Sequence, residues 1–252
     1  MMKGLDVFKD YFQAYSEQYV LIGGAACDII FEEQDAAFRA TKDLDLVLIV
    51  EALTPDFGQE FWQFIHDGGY ENRAKSSGTP QFYRFDKPKN PSFPYMIELF
   101  SRVVETFQGE AAGPLVPLPL SDEISSLSAI LLNEDYYALI LNGRILVSEL
   151  VVLSPTYLIP FKAKAWLDLS ERKSQGQHVD EKDIRKHKND IIRLATLLNG
   201  SEKCELSETV RQDMSAFVEK LRQDPVDPKS LKITGIRFED ILDVLRQVYF
   251  TD

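Results

Sequence analysis

Tyr19-Val20-Leu21-Ile22-Gly23-Gly24-Ala25-Ala26, followed by Arg39-Ala40-Thr41-Lys42-Asp43-Leu44-Asp45-Leu46, is the stretch on which the fold turns. The run Tyr19 to Ile22 is short, apolar and closed by two glycines, the pattern of a buried strand ending in a tight turn. Ala25 to Phe31 then reads as a helix. Two glycines let the backbone turn with no side chain in the way. A helix starting there aims its first amides, and the positive end of its dipole, at whatever fills the turn, which favours an anion such as phosphate. Leu44 to Val50 reads as a second strand from its Val and Ile content. Asp43 and Asp45 stand at its start, and residues two apart on a strand share a face. Two carboxylates so placed repel each other unless a cation lies between them. Mg²⁺ takes hard oxygen ligands and bridges a few carboxylates to substrate phosphates. Taken singly, an ordinary turn and two solvated surface acids explain these features; their order along the chain is what joins them.

Glu98 supplies a third acid. It stands in an otherwise apolar run, Tyr95-Met96-Ile97-Glu98-Leu99-Phe100, where an ionised carboxylate is rare unless paired or metal-bound. An edge-strand glutamate facing water is the plain alternative. The order of strand, Gly-Gly, helix, Asp-x-Asp and later strand acid resembles the nucleotidyltransferase fold of the polymerase-β type. Leu21-Ile22-Gly23-Gly24-Ala25-Ala26 with Arg39-x-Thr41-x-Asp43-Leu44-Asp45-Leu46 looks most like the AbiEii-type nucleotidyltransferases, many of which are toxins of toxin–antitoxin pairs. The resemblance covers residues 19–50 and extends to 95–101, with Glu98 where Asp is common. It implies a Mg²⁺-dependent enzyme, with two ions held by Asp43, Asp45 and Glu98. Such an enzyme moves a nucleoside monophosphate from an NTP (ATP, GTP, CTP or UTP) to an acceptor hydroxyl. Gly23, Gly24 and Thr41 would bind the nucleotide. The acceptor stays open between a small molecule, a protein and a tRNA end, and an antitoxin protein is the implied partner of a toxin.

The character of the chain changes at Ser154-Pro155, a good N-cap and first-turn pair. Helices are expected over 155–173, 181–199, 207–223 and 238–249. Before that point helices are expected over 5–17 and from Pro55 to Gly68, and strands over Gln81–Phe85 and Tyr95–Phe100. Tyr136–Leu141 and Arg144–Leu150 are expected to pair as a hairpin about Asn142-Gly143. The fold class is therefore α/β or α+β: a mixed-sheet nucleotidyltransferase domain over 1–153, then a helical domain over 154–252.

In the first of the late helices, Lys162 lies near the centre of the apolar stripe formed by Leu158, Ile159, Phe161, Ala165, Trp166 and Leu169. Lys164 lies nearly opposite, one turn before Asp168, as an ordinary exposed ion pair. A lysine within an apolar stripe needs water or an anionic partner. AbiEii-like proteins carry a lysine in this helix, and the resemblance implies that Lys162 is a triphosphate ligand. A lysine snorkelling at a domain seam is the alternative. Asp180 reads as an N-cap, and Lys182-Asp183 resembles a Lys-Asp pair of the family, so Asp183 would orient Lys162 or the nucleotide.

The net charge of −12 disfavours broad, non-specific binding to nucleic acid. A cluster of Lys182, Arg185, Lys186, Lys188 and Arg193 leaves room for one local tRNA contact, a solvated charged face being the commoner explanation. The sequence has no long apolar run and no signal-peptide pattern at its start, so no membrane partner and a cytoplasmic location are expected. Cys27 and Cys204 match no metal or disulfide framework. Two other classes remain in view: a member of the same fold that binds nucleotide or protein without turnover, and a plain interaction domain.

Overall fold

Tyr19 to Ile22 is buried at every position and forms β1 (Tyr19–Ile22). Around it lies a central mixed sheet with flanking helices. The structure is a computed structural model that describes residues 2–72, 82–100, 130–131 and 133–250. Its described residues fall into two compact units. One takes the described residues up to Phe100 together with 140–154; the other takes those of 130–139 together with 155–250.

In the first unit, α1 (Leu5–Phe12) leads through a 3₁₀ turn to β1. Then come α2 (Gly23–Glu33), β2 (Asp43–Leu48), α3 (Pro55–Gly68), β3 (Glu71–Asn72), β4 (Phe82–Asp86) and β5 (Met96–Phe100). After α4 (Glu134–Asn142), β6 (Arg144–Val147) and β7 (Leu150–Leu153) complete the described strands. They form one sheet in the order β3-β4-β5-β2-β1-β7-β6. β2 runs antiparallel to β1 and parallel to β5, and β4 runs antiparallel to β5. That arrangement sets β2, with its two aspartates, between β1 and β5.

One face of this sheet is packed by aromatic side chains. Phe8 and Phe12 of α1 meet Tyr19 of β1 and Phe57, Phe61 and Phe64 of α3. Phe61 and Trp62 reach Phe85 of β4, with ring centroids 5.6 and 5.9 Å apart. Each such ring pair adds about 0.5–1.5 kcal/mol to the burial of its area. Helix α3 starts where Thr54 accepts from the Phe57 amide at 3.3 Å, with Pro55 in the first turn. It stops at Gly69, whose φ of +62° ends the helix in the left-handed region.

The hairpin expected about Asn142-Gly143 is displaced. Residues 136–141 belong to α4 rather than to a strand. Asn133 accepts from the Asp135 amide at 2.9 Å, Glu134 and Asp135 fill the first turn, and Tyr136 and Ile140 are buried one turn apart. These local helix signals outweigh the β-like composition. The hairpin pairs β6 with β7 around Ser148-Glu149, with Val147 opposite Leu150. Both turn residues have positive φ, 50° and 67°, the backbone that a two-residue turn demands whether or not its sequence is Asn-Gly.

The second unit is helical: α5 (Pro155–Ser174), α6 (Glu181–Ala195), α7 (Glu208–Gln223) and α8 (Phe238–Phe250) join α4. Tyr136 of α4 packs on Phe161 of α5 and donates to Asp213 of α7 at 2.9 Å. Trp166 of α5 meets Phe217 of α7. Asp180 caps α6 through the Lys182 amide at 2.8 Å, as expected of that helix start.

Helix α5 carries a proline inside it, Pro160. Proline has no N–H to give to the carbonyl of Thr156 one turn back. The Tyr249 hydroxyl of α8 gives that hydrogen bond instead, at 2.6 Å. Burial holds the Tyr249 phenol well above its ordinary pKa, so it remains a donor. Tyr249→Phe is expected to cost about 1–3 kcal/mol, the penalty for leaving a buried carbonyl unmet. The loss should shrink in a Pro160→Ala background, where the N–H regained at position 160 serves the same carbonyl. A denaturant-unfolding cycle on the four proteins reads this directly. Equal losses in both backgrounds would show that the two residues are not complementary.

Among the described residues, no helix is long and apolar enough to cross a membrane.

Candidate active site

Strand register builds the site. Asp45 of β2 lies directly opposite Glu98 of β5, and Glu98 lies opposite Arg84 of β4. On the other side, Asp45 lies opposite Ile22, the last residue of β1. Residues directly opposite share a face, so Arg84, Glu98, Asp45 and Ile22 form one row across four strands. The next row on the same face is Asp86, Met96 and Asp43. The sheet thus has one aromatic-packed face, while these two rows of the other face carry Arg84, Glu98, Asp45, Asp86 and Asp43.

The turn after β1 closes on this row. Helix α2 begins at Gly23, two residues earlier than the sequence suggests, and Gly23 has a φ of +66°. A Cβ on Gly23 would lie 1.8 Å from Oδ2 of Asp45. A Cβ on Gly24 would lie 2.6 Å from Oγ1 of Thr41 and 3.5 Å from Nη2 of Arg39. The glycines are therefore required twice: by the backbone at Gly23, and by the side chains pressed against both. Asp43, Asp45, Glu98, Gly23, Gly24 and Thr41 all belong to this unit. The structure brings Asp45, Glu98 and Gly23 together at one point, with Thr41 against Gly24.

Glu98 is buried, and that burial pushes its carboxyl pKa up. The charge of Arg84, a side-chain hydrogen bond with Asp45 and the hydrogen bonds from Arg84 pull it back down, while the charge of Asp43 pushes it up again. Two acids set directly opposite each other on one face make a place where a cation relieves their repulsion. Arg84 donates through Nε at 3.0 Å and through Nη2, both to Oε1 of Glu98. Close by, Lys42 lies over the ring of Tyr95, just before the paired residues Asp43 and Met96.

Lys162 and Asp183 lie in the other unit. Lys162 is buried and its ammonium donates to Asp190 of α6 at 2.9 Å. The anionic partner that a lysine in an apolar stripe requires is thus Asp190, two turns beyond Asp183. Asp183 sits in the first turn of α6, half-buried, its amide donating to the Asp180 carbonyl. Lys164 pairs with Asp168, as its spacing suggests, and also with Asp213.

Sequence reasoning missed Arg84, Asp86 and Asp190. The alternation Tyr83-Arg84-Phe85-Asp86 carries the signal for the first two: two charged residues at period two between apolar ones. Asp190 carried a signal too, as an acid beside Ile191 and Ile192 on the apolar side of α6.

Among the described residues, no group of three or more His, Cys, Asp or Glu side chains is arranged to hold a metal ion. The donor set at the centre is the pair Asp45–Glu98. Its chemistry fits a hard divalent cation, because Mg²⁺ commonly takes one or two carboxylates and completes its shell with water and substrate phosphates.

The fold and site therefore define a mixed α/β protein with an acidic row beside a glycine turn at a helix N-terminus. No family model matches the sequence, and no curated protein matches it. Among solved structures, the chain is similar to the crystal structure of an antigenic nucleotidyltransferase-like protein from Paracoccidioides brasiliensis. The two share 16% sequence identity over 92% of this chain and 94% of that chain, with a TM-score of 0.43.

Proposed function

We propose that this chain is a nucleotidyltransferase whose Asp45–Glu98 pair, with Asp43 alongside, holds Mg²⁺ on the phosphates of an NTP. The observation that carries this reading is the contact of Asp45 with both Glu98 and Gly23, which joins an acid pair to a helix N-terminus. When bound, Mg²⁺ supplies Lewis acidity at the phosphoryl oxygens and neutralises charge that develops there. The chain's own residues do the rest. Gly23 and Gly24 let Asp45 and Thr41 close on the N-terminus of α2, whose first amides would take a phosphate held there. The Thr41 hydroxyl, beside Gly24, supplies a further donor. Glu98, an acid whose affinity for a proton is raised by burial, receives the proton of the acceptor hydroxyl. The acceptor oxygen bonds to the α-phosphorus as the bond to pyrophosphate breaks. A phosphate role for Lys162, with Asp183, is a separate proposal about the helical unit, where Asp190 is the partner that Lys162 has. An AbiEii-type toxin, with an antitoxin partner and a cellular acceptor, is the finer form of this reading.

One observation favours a second reading, nucleotide binding without turnover: the guanidinium of Arg84 already engages Glu98. Thermal unfolding in the presence of ATP, GTP, CTP or UTP, with and without Mg²⁺, tests the shared part of both. At about a hundredfold excess over Kd, a bound nucleotide adds about 2.7 kcal/mol of stability. That should appear as a rise in Tm of several degrees that depends on Mg²⁺. If none of the four nucleotides shifts Tm with Mg²⁺ present, both readings fall. Release of pyrophosphate then separates transfer from binding.

A further inference from the structure

We infer that Arg84 is an internal competitor for the cation at the Asp45–Glu98 pair, and that nucleotide phosphates draw it away. The inference rests on the acid pair being the cation site proposed above. Arg84 and Glu98 are directly opposite on adjacent antiparallel strands, on the face that carries Asp43 and Asp45. Two guanidinium nitrogens fall on a single oxygen, Oε1. A divalent cation drawing on Glu98 therefore either shares Oε1 with a full positive charge or takes the other carboxylate oxygen with that charge close by.

The two partners differ in their freedom to move. The side chain of Glu98 is 9% exposed, that of Arg84 27%. Glu98 is held by burial and by its hydrogen bond with Asp45, whereas Arg84 has a long stem and a route to water. Arginine also binds phosphate through the same planar fork that it offers to a carboxylate. A triphosphate arriving beside Gly23-Gly24 offers Arg84 a new anion on the same face of the sheet. The exchange couples the two ligands: the bare cation binds weakly against Arg84, and the nucleotide strengthens it by removing the competitor. By thermodynamic linkage the cation strengthens the nucleotide by the same factor.

The test is a Mn²⁺ titration of the whole chain followed by electron paramagnetic resonance of unbound Mn²⁺, with and without a non-hydrolysable NTP. Replacing Arg84 by a neutral side chain of similar length, Arg84→Gln, is expected to tighten bare Mn²⁺ binding by about tenfold or more, since a unit charge beside the site is lost. The nucleotide's own enhancement of Mn²⁺ affinity should shrink correspondingly. Arg84→Lys, which keeps the charge and the fold, should stay near the parent. Adding Glu98→Gln to Arg84→Gln should abolish the gain. Bare Mn²⁺ affinity unchanged or weaker in Arg84→Gln overturns the inference, as does a gain that survives Glu98→Gln. If Mg²⁺-dependent nucleotide binding holds in the parent while Arg84→Gln shows no gain, the competitor role fails and the proposed function stands. If no nucleotide binds but Arg84→Gln still gains bare Mn²⁺ affinity through Glu98, the competitor role stands, while its release by phosphates and the proposed function both fail.

Discussion

Asp45→Asn should fold like the parent chain and lose Mg²⁺-dependent nucleotidyl transfer by about a thousandfold or more, the equivalent of roughly 4 kcal/mol of transition-state stabilisation. Asn has the shape of Asp, so the contact against Gly23 and the row across β1, β2 and β5 can persist. What changes is charge. The amide keeps one oxygen acceptor but is a poor ligand for a hard cation, and its NH₂ is a donor placed opposite Glu98. Tm without ligand should therefore hold or rise, while the Mg²⁺-dependent rise with nucleotide disappears. Pyrophosphate release and thermal unfolding on the same preparation measure the two halves. A variant that keeps transfer within tenfold of the parent would remove Asp45, and with it the metal role, from the mechanism.

Asp190→Ala is expected to cost about 3–5 kcal/mol of stability, the penalty for breaking a buried ion pair by removing one side of it. Lys162 and Asp190 join α5 to α6 at 2.9 Å, with side-chain exposures of 6% and 0%. Most of the loss should return in the double variant Lys162→Met with Asp190→Leu, because well-packed apolar residues often replace such a pair at little cost. Denaturant unfolding of the single and double variants reads the difference. The double variant also tests the phosphate role of Lys162. If that lysine binds triphosphate, a chain with restored stability will still bind nucleotide more weakly. If Asp190→Ala loses less than about 1 kcal/mol, the pair is not the internal tie that its burial indicates.

The parts of the site legible in the sequence were those written in local pattern. Tyr19–Ile22, the glycine pair and Asp43-Leu44-Asp45 follow one another along the chain, and period-two alternation alone puts the two aspartates on one face. Glu98 stood out because a carboxylate in an apolar run is costly. Arg84 and Asp86 carried charge in the same alternation, but their relevance depends on which strand lies beside which, and strand order is a long-range property. The misplaced hairpin shows the reverse limit. Asn142-Gly143 is a strong turn signal, yet the helix signals of Asn133, Glu134 and Asp135, two turns earlier, claim the segment, and the β6–β7 turn uses Ser148-Glu149 at positive φ. Lys162 was found from its apolar surroundings, but its partner Asp190 lies on a different helix, and helix pairing is no more local than strand order.

The two tryptophans of the chain divide between its two units: Trp62 of α3 against Phe85, and Trp166 of α5 against Phe217. The molecule thus carries a built-in optical label in each half. A Trp62→Phe protein emits from the helical unit alone, and a Trp166→Phe protein from the sheet unit alone. Comparing their emission along a denaturant series shows whether the halves melt as one cooperative body or in sequence, with no dye attached.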